Sequence, residues 1–317
     1  MKDKGTRTEI DRLIEEFLEY LEIEKNCSPL TIRDYRHYLE VFSFFFNNEI
    51  GIKKPSDVNL EAVKKFRVYL SRKKDKKEKF LKKITQSYYV IALRAFLRYL
   101  AKNDIKSLGP EKIDLPKVES KSLKFLSSDQ VRRLLSSPSG STERDLRDKA
   151  ILEMLFSTGM RVSELIKLNS DELNFKTREI GVVGKGGRPR VVFLSPTACK
   201  WIQRYLASRE DDYKPLFIRY AGVVDGASGG EKMRLTPRSV QRLVIKYARK
   251  SGLPVRTTPH VLRHSFATDL LRAGADLRSV QEMLGHKNIA TTQIYTHVTN
   301  RGLKEIHEKY HGKVEEG

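Results

Sequence analysis

The chain has 317 residues, enough for about two domains of ordinary size. A hydrophobic content of 39% argues against extended disorder, and a net charge of +21 is far more than a small-molecule enzyme needs; it suits a polyanion, either nucleic acid or an anionic membrane surface. No apolar run approaches the roughly eighteen residues of a membrane-spanning helix, the start MKDKGTRTEIDR carries no signal-peptide core, and Cys27 and Cys199 give no disulfide framework, so the expectation is a soluble cytoplasmic protein that does not engage a membrane.

In chain order, Ile10, Leu13, Ile14, Phe17, Leu18 and Leu21 repeat at helical spacing. Ser28-Pro29 opens a second helix with Ile32, Tyr35, Leu39, Phe42 and Phe46 on one face, and Asn59 can cap a third through Val63, Phe66 and Leu70. The run RKKDKKEKFLKK (Arg72–Lys83) breaks the apolar pattern before a fourth helix through Ile91, Phe96, Leu97 and Leu100. Lys73, Lys74, Lys76 and Lys77 in that run are either a solvated helix end or phosphate contacts. Residues 1–103 therefore read as a helical domain with 23 basic against 15 acidic residues, so the positive charge is not confined to the other half of the chain.

Residues 104–121, with Gly109, Pro110 and Pro116 and no sustained periodicity, read as a linker. The second domain, 122–298, opens at Ser127 and Gln130, which have the spacing of a capping box. A helix follows over 144–157, stopped by Gly159, and Arg161-Val-Ser-Glu164-Leu starts the next element. Ile180–Val183 and Val191–Leu194 flank GKGGRPR and predict a hairpin, with Leu216–Ile218 as a third short strand. Helices are expected over 196–208 and 237–249, and the glycine-rich stretch 221–232 between them reads as a mobile loop. The class is mainly α with a small β-hairpin.

The stretch TPHVLRHSFATDLLRAGADLRSVQEMLGHKNIATTQIYTH (Thr258–His297) gathers His260, Arg263, His264, His286, Tyr295 and His297 from a chain with seven histidines. Thr258-Pro259 opens one helix and Gly274 stops it; Asp276 can cap a second, which Gly285 closes, and Asn288 a third carrying Tyr295. His260 and His264 have the i, i+4 spacing of half a zinc site, but the glutamate of HExxH is missing and an arginine between them would repel a cation. Arg161 and Glu164 alone read as a structural ion pair before a catalytic one. Two guanidiniums can nevertheless hold both non-bridging oxygens of a phosphodiester, and a tyrosine beside them is a nucleophile suited to covalent phosphotransfer.

Taken together, TGMRVSEL, HVLRH, LGH and IYTH, in this order and spacing, resemble the tyrosine recombinase (phage integrase) family, most of all its Xer type. The resemblance runs from about Ile10 to His311 and implies a four-helix, SAM-like core-binding domain followed by a tyrosine-recombinase catalytic domain. It implies that Arg161 and Arg263 clamp the scissile phosphate, with Glu164 supporting the site. His260 then accepts the tyrosine's proton or holds phosphate, and His286 supplies a further hydrogen bond. Tyr295 is the nucleophile, giving a 3′-phosphotyrosyl link, and Lys185 is the general acid for the leaving 5′-oxygen. Arg188 and Arg190, in the same hairpin, are expected to touch DNA, while His264 holds its helix.

Because the phosphotyrosine conserves the ester's energy, neither nucleotide nor metal is required. The implied partner is double-stranded DNA, with four protomers on two sites exchanging strands through a Holliday junction, and with a DNA translocase or second recombinase as further candidates. The tail 299–317, with Leu303, Ile306 and Tyr310, either packs on its own domain or docks on a neighbouring protomer; it departs from the family's common His-Pro ending, having His311-Gly312. Chromosome-dimer resolution is the expected role. Integration of a mobile element, type IB topoisomerase activity and a non-catalytic DNA-binding accessory role are the alternatives.

Overall fold

The computed structural model describes residues 7–75, 78–115, 125–184, 187, 189–222, 228–253 and 257–285. Lys76, Lys77, Lys185, Arg188, His286, Tyr295, His297, the third helix expected after Asn288 and the tail lie outside them. The chain divides into two compact units, Met1–Lys121 and Ser122–Gly317.

The first unit is built on α1 (Glu9–Ile23), α2 (Pro29–Phe44), α3 (Leu60–Arg72) and α4 (Lys83–Lys102). Short polar side chains set three of the four starts. Thr8 and Asp11 form a reciprocal capping box, Ser28 accepts from the Thr31 amide, and Asn59 accepts from the Ala62 amide. The helical stripes converge on a core in which Phe17, Phe42, Phe46, Phe66 and Phe96 are almost inaccessible. A π-helical turn, Phe45–Glu49, extends α2, and both Phe45 and Phe46 are buried in it. The described part of the basic run is an ordered turn. Lys74 and Phe80 form an antiparallel bridge, and the Leu81 amide donates to the Lys73 carbonyl at 3.1 Å.

In the second unit α5 (Ser128–Ser136) and α6 (Glu143–Thr158) are followed by the single turn α7 (Val162–Leu165). The hairpin β1 (Glu179–Val183) and β2 (Pro189–Phe193) comes next, then α8 (Pro196–Ala207), α9 (Pro237–Lys250), α10 (Pro259–Arg272) and α11 (Leu277–Leu284). Helix α6 is the axle. Every residue from Arg147 to Leu155 is buried, as in a helix enclosed on all sides, and α8 and α10 pack against it. The antiparallel hairpin sets Ile180 opposite Val192 and Val182 opposite Arg190.

One expectation is corrected here. Leu216–Ile218 does not join the sheet, which has two strands among the described residues. The Leu216 amide donates to Leu168 (2.9 Å) and Phe217 accepts from the Leu235 amide (3.1 Å), so this extended segment is held by two different neighbours. Leu216, Phe217 and Ile218 are all buried, and such a continuous apolar run imitates a strand in sequence. Of the glycine-rich stretch 221–232, the described residues are 221–222 and 228–232, and the latter follow a defined turn. A 3-10 turn covers Glu231–Met233, and the Lys214 amide donates to the Gly229 carbonyl at 3.1 Å.

Helix α6 ends at Gly159, whose φ of +58° is left-handed, and a Cβ there would lie 2.3 Å from the Phe266 ring. Gly159→Ala should therefore destabilise the protein by at least about 1–2 kcal/mol, the cost of the left-handed backbone alone. A lowered urea midpoint checks this; an unchanged midpoint would refute the packing described for this turn.

Candidate active site

The left-handed stop at Gly159 reverses the chain and places Arg161 at the N-cap of α7. The Arg161 amide donates to Glu164 Oε2 (2.8 Å), while its Nη1 donates to Oε1 (3.0 Å). Glu164 is deeply buried, its side chain 3% exposed, whereas the Arg161 side chain stays 26% exposed and faces a cleft. Arg234 steadies the far end of this turn by donating from Nη1 to the Ile166 and Leu168 carbonyls, at 2.9 and 3.0 Å.

Arg190 was expected on the DNA-facing hairpin; the structure turns it inward. Its Nη1 and Nη2 donate to Oε1 and Oε2 of Glu164 at 2.9 and 2.7 Å, and its Nε to the Met283 carbonyl at 3.1 Å. Strand alternation is the cause, because Arg190 lies on the same face of β2 as buried Val192. Lys73 and Lys74, by contrast, lie in the first unit's ordered turn. Lys73 Nζ bonds the Tyr69 hydroxyl (3.0 Å), and Lys74 pairs with exposed Glu78 (3.3 Å).

Arg263 enters from α10 and is buried. Its Nη1 donates to the Gly159 carbonyl (2.7 Å) and its Nη2 to the Leu284 carbonyl (2.5 Å). Arg161 Nη2 reaches the Gly285 carbonyl at 3.4 Å. Three successive carbonyls at the end of α11, those of Met283, Leu284 and Gly285, thus accept from arginines on three separate elements. The C-terminal end of a helix carries partial negative charge and unsatisfied carbonyls, so it gathers cations. Gly285, with a φ of +64°, closes α11 where the sequence anticipates, and Asp276 caps its start.

A cleft of about 380 Å³ lies beside this cluster, lined by Arg161, Ser163, Gln241, Ile245, Thr258 and His260 among others. A larger cleft of about 530 Å³, between α6 and α9, is lined by Arg144, Arg147, Arg219, Arg242 and Lys246, and contains none of the residues expected to do chemistry.

Electrostatics follow from this packing. Burial would raise the Glu164 carboxyl, but the hydrogen bonds from Arg190 and from the Arg161 amide, and then the Arg190 charge, hold it below its ordinary 4.5. The His260 residue is exposed by area, yet partial desolvation of the ring and the charges of Arg263 and Arg161 lower its pKa from 6.5. A neutral imidazole at physiological pH can accept a proton. His264 is half-buried on the same helix; desolvation, His260 and Arg263 push it down to about 4.

Of the residues singled out from sequence, the structure brings Arg161, Glu164, Arg190 and Arg263 into one bonded cluster, with His260 on the adjoining cleft. Lys185, Arg188, His286 and Tyr295 fall outside the described residues. Sequence reasoning missed Arg234 and the inward role of Arg190. The position of Arg190 two residues before buried Val192 was the available signal for the latter.

Residues 124–301 match the phage integrase family and residues 14–104 the phage integrase N-terminal SAM-like domain. The chain is 37% identical over 303 residues to tyrosine recombinase XerD of Listeria innocua, covering 95% of this chain and 99% of the relative. It is 36% identical over 310 residues to tyrosine recombinase XerC of Pelotomaculum thermopropionicum, covering 95% and 98%. Among solved structures it shares a fold with the XerH site-specific recombinase bound to palindromic difH substrate, with a TM-score of 0.70 and 24% identity over 93% of this chain and 83% of that one.

The depressed pKa of His264 makes a stability prediction. The unfolded histidine protonates near 6.5 and the folded one only near 4, so the neutral ring's contribution is present above pH 6.5 and is lost as pH falls through about 4. His264→Gln should flatten the decline in thermal midpoint between pH 6.5 and 4 relative to the unsubstituted protein. Parallel declines would show that His264 is not held neutral.

Proposed function

Because the chain belongs to the phage integrase family and is a site-specific tyrosine recombinase of the Xer type, we propose that Tyr295 is the nucleophile and that Arg161 and Arg263 clamp the scissile phosphate of duplex DNA. The observation that supports this most is the convergence of those two guanidiniums on adjacent carbonyls, Gly285 and Leu284, from residues a hundred positions apart. A pair of rigid forks held side by side matches the two non-bridging oxygens of a phosphodiester, and stabilises the charge that builds on them during attack.

The reaction then runs as follows. The Tyr295 phenol attacks phosphorus, His260 accepts its proton, and the bond to the 5′-oxygen breaks. Lys185 protonates that oxygen, leaving a free 5′-hydroxyl and a 3′-phosphotyrosyl ester. Attack by the 5′-hydroxyl of a second duplex reverses the chemistry and frees the tyrosine. Two such rounds among four protomers exchange both strands through a Holliday junction. The role read here is chromosome-dimer resolution rather than integration of a mobile element; the likeness to relatives named tyrosine recombinase XerC and XerD, across almost their whole length, supports the Xer type. The charge of +21 provides the long-range attraction to the phosphate backbone.

A nicked suicide substrate tests the reading. The protein should form a covalent DNA adduct that Tyr295→Phe does not form, and equal adduct from that variant would refute the mechanism. Arg161→Ala should slow adduct formation by about 10²–10³, the usual loss for one preorganised donor. The second-order cleavage rate at subsaturating DNA reports the free enzyme's groups. Since the pKa of His260 is lowered, that rate should hold as pH falls to 6.5 and decline only below it. A decline that begins well above pH 6.5 would remove His260 as the base.

A further inference from the structure

We infer that Arg190 is a positioning residue for the phosphate clamp: by occupying half of the Glu164 carboxylate it keeps the Arg161 fork open towards the cleft. The inference rests on the recombinase reading above and assigns a role within the same site.

A carboxylate offers about four lone-pair directions. At Glu164 all four are taken, two by Arg190 (2.9 and 2.7 Å), one by Nη1 of Arg161 (3.0 Å) and one by the Arg161 amide (2.8 Å). An arginine beside an unshared carboxylate closes on it with two parallel bonds. Here the second bond is unavailable, because Arg190 already fills it. Arg161 is left with one bond to the carboxylate, and its Nη2 is directed at the Gly285 carbonyl at a long 3.4 Å. That is a weak restraint a phosphate oxygen can replace. Sharing also sets the charge: one buried carboxylate faces two guanidiniums, so the unit keeps a net positive charge.

The inference has a second, independent anchor. Arg190 Nε bonds Met283, and the side chain lies across Gly285, where an added Cβ would stand 3.0 Å from Arg190 Cδ. Arg190 therefore spans from β2 to the end of α11 and holds the Gly285 carbonyl in place for Arg161. Its fork is bound to the charged Glu164 carboxylate, a stronger partner than the neutral carbonyls that hold Arg263, so it is poorly placed to meet DNA itself.

Arg190→Met and Arg190→Lys separate the possibilities, with thermal unfolding measured for each. Lysine retains the charge but cannot bridge both carboxylate oxygens. On folded protein, single-turnover cleavage of the suicide substrate should fall by up to about 100-fold for Met, as for a misplaced catalytic group, with incomplete rescue by Lys. The salt dependence of duplex binding should keep its slope, whereas loss of a direct phosphate contact would lower it by about one. Combined with Arg161→Ala, the Met substitution should add little further loss. Wild-type cleavage in folded Arg190→Met, a reduced salt slope, full additivity with Arg161→Ala, or full rescue by Lys would each overturn the assignment. If instead Tyr295→Phe forms adduct on the same substrate, it is the recombinase mechanism that fails and not the role of Arg190.

Discussion

One ionised carboxylate, shut away from water and divided between two guanidiniums, is the constraint on which the second unit's site depends. A buried charge is tolerable only when its lone pairs are met, and removing one partner of such a group is strongly destabilising, typically by about 3–5 kcal/mol. Glu164 satisfies that condition by drawing together the N-cap of α7, the second strand of the hairpin and, through Arg190, the end of α11. None of these elements is long enough to be stable by itself; α7 is a single turn of four residues. Their mutual placement comes from the charge network and from the rigid helix α6 behind it.

The end of α11 provides the other half of the arrangement. Its carbonyls satisfy arginines that would otherwise be buried or strained, and they do so with neutral acceptors. A carboxylate in their place would compete with phosphate far more strongly, because charge-assisted bonds are roughly twice as strong as neutral ones. Arginines held by carbonyls are thus ordered before substrate arrives and still able to exchange partners. His260 reflects the same field. The cations that would attract phosphate also disfavour a proton on its ring, which suits it to accept one.

Much of this was legible in the sequence where local rules act alone. Caps at Ser28, Asn59, Thr258 and Asp276, and stops at Gly159 and Gly285, mark helix ends through hydrogen bonds within a few residues, and the structure has them all. The pairing of Arg161 with Glu164 is likewise local. Features set by distant partners were less accessible. With a strand beginning at Val191, Arg190 falls in the basic turn GKGGRPR; β2 begins two residues earlier, and once Pro189–Phe193 is paired with Glu179–Val183, alternation turns it inward. Leu216–Ile218 has the composition of a strand but bonds to two unrelated segments. Arg234 gave no local sign that it would cap the turn carrying Arg161. The motifs themselves were distinctive by their order and spacing, which is why the family could be identified before any geometry was known.

Glu164→Gln tests the central constraint most directly. The amide is nearly isosteric with the acid but keeps one accepting oxygen and carries no charge, so two guanidiniums would compete for it. Single-turnover cleavage by the folded variant should fall by about 10- to 100-fold, as for a misplaced catalytic group, while duplex DNA binds as tightly as before or more so. Cleavage at the unsubstituted rate would contradict the account, because it would mean that the shared carboxylate does not set the phosphate clamp.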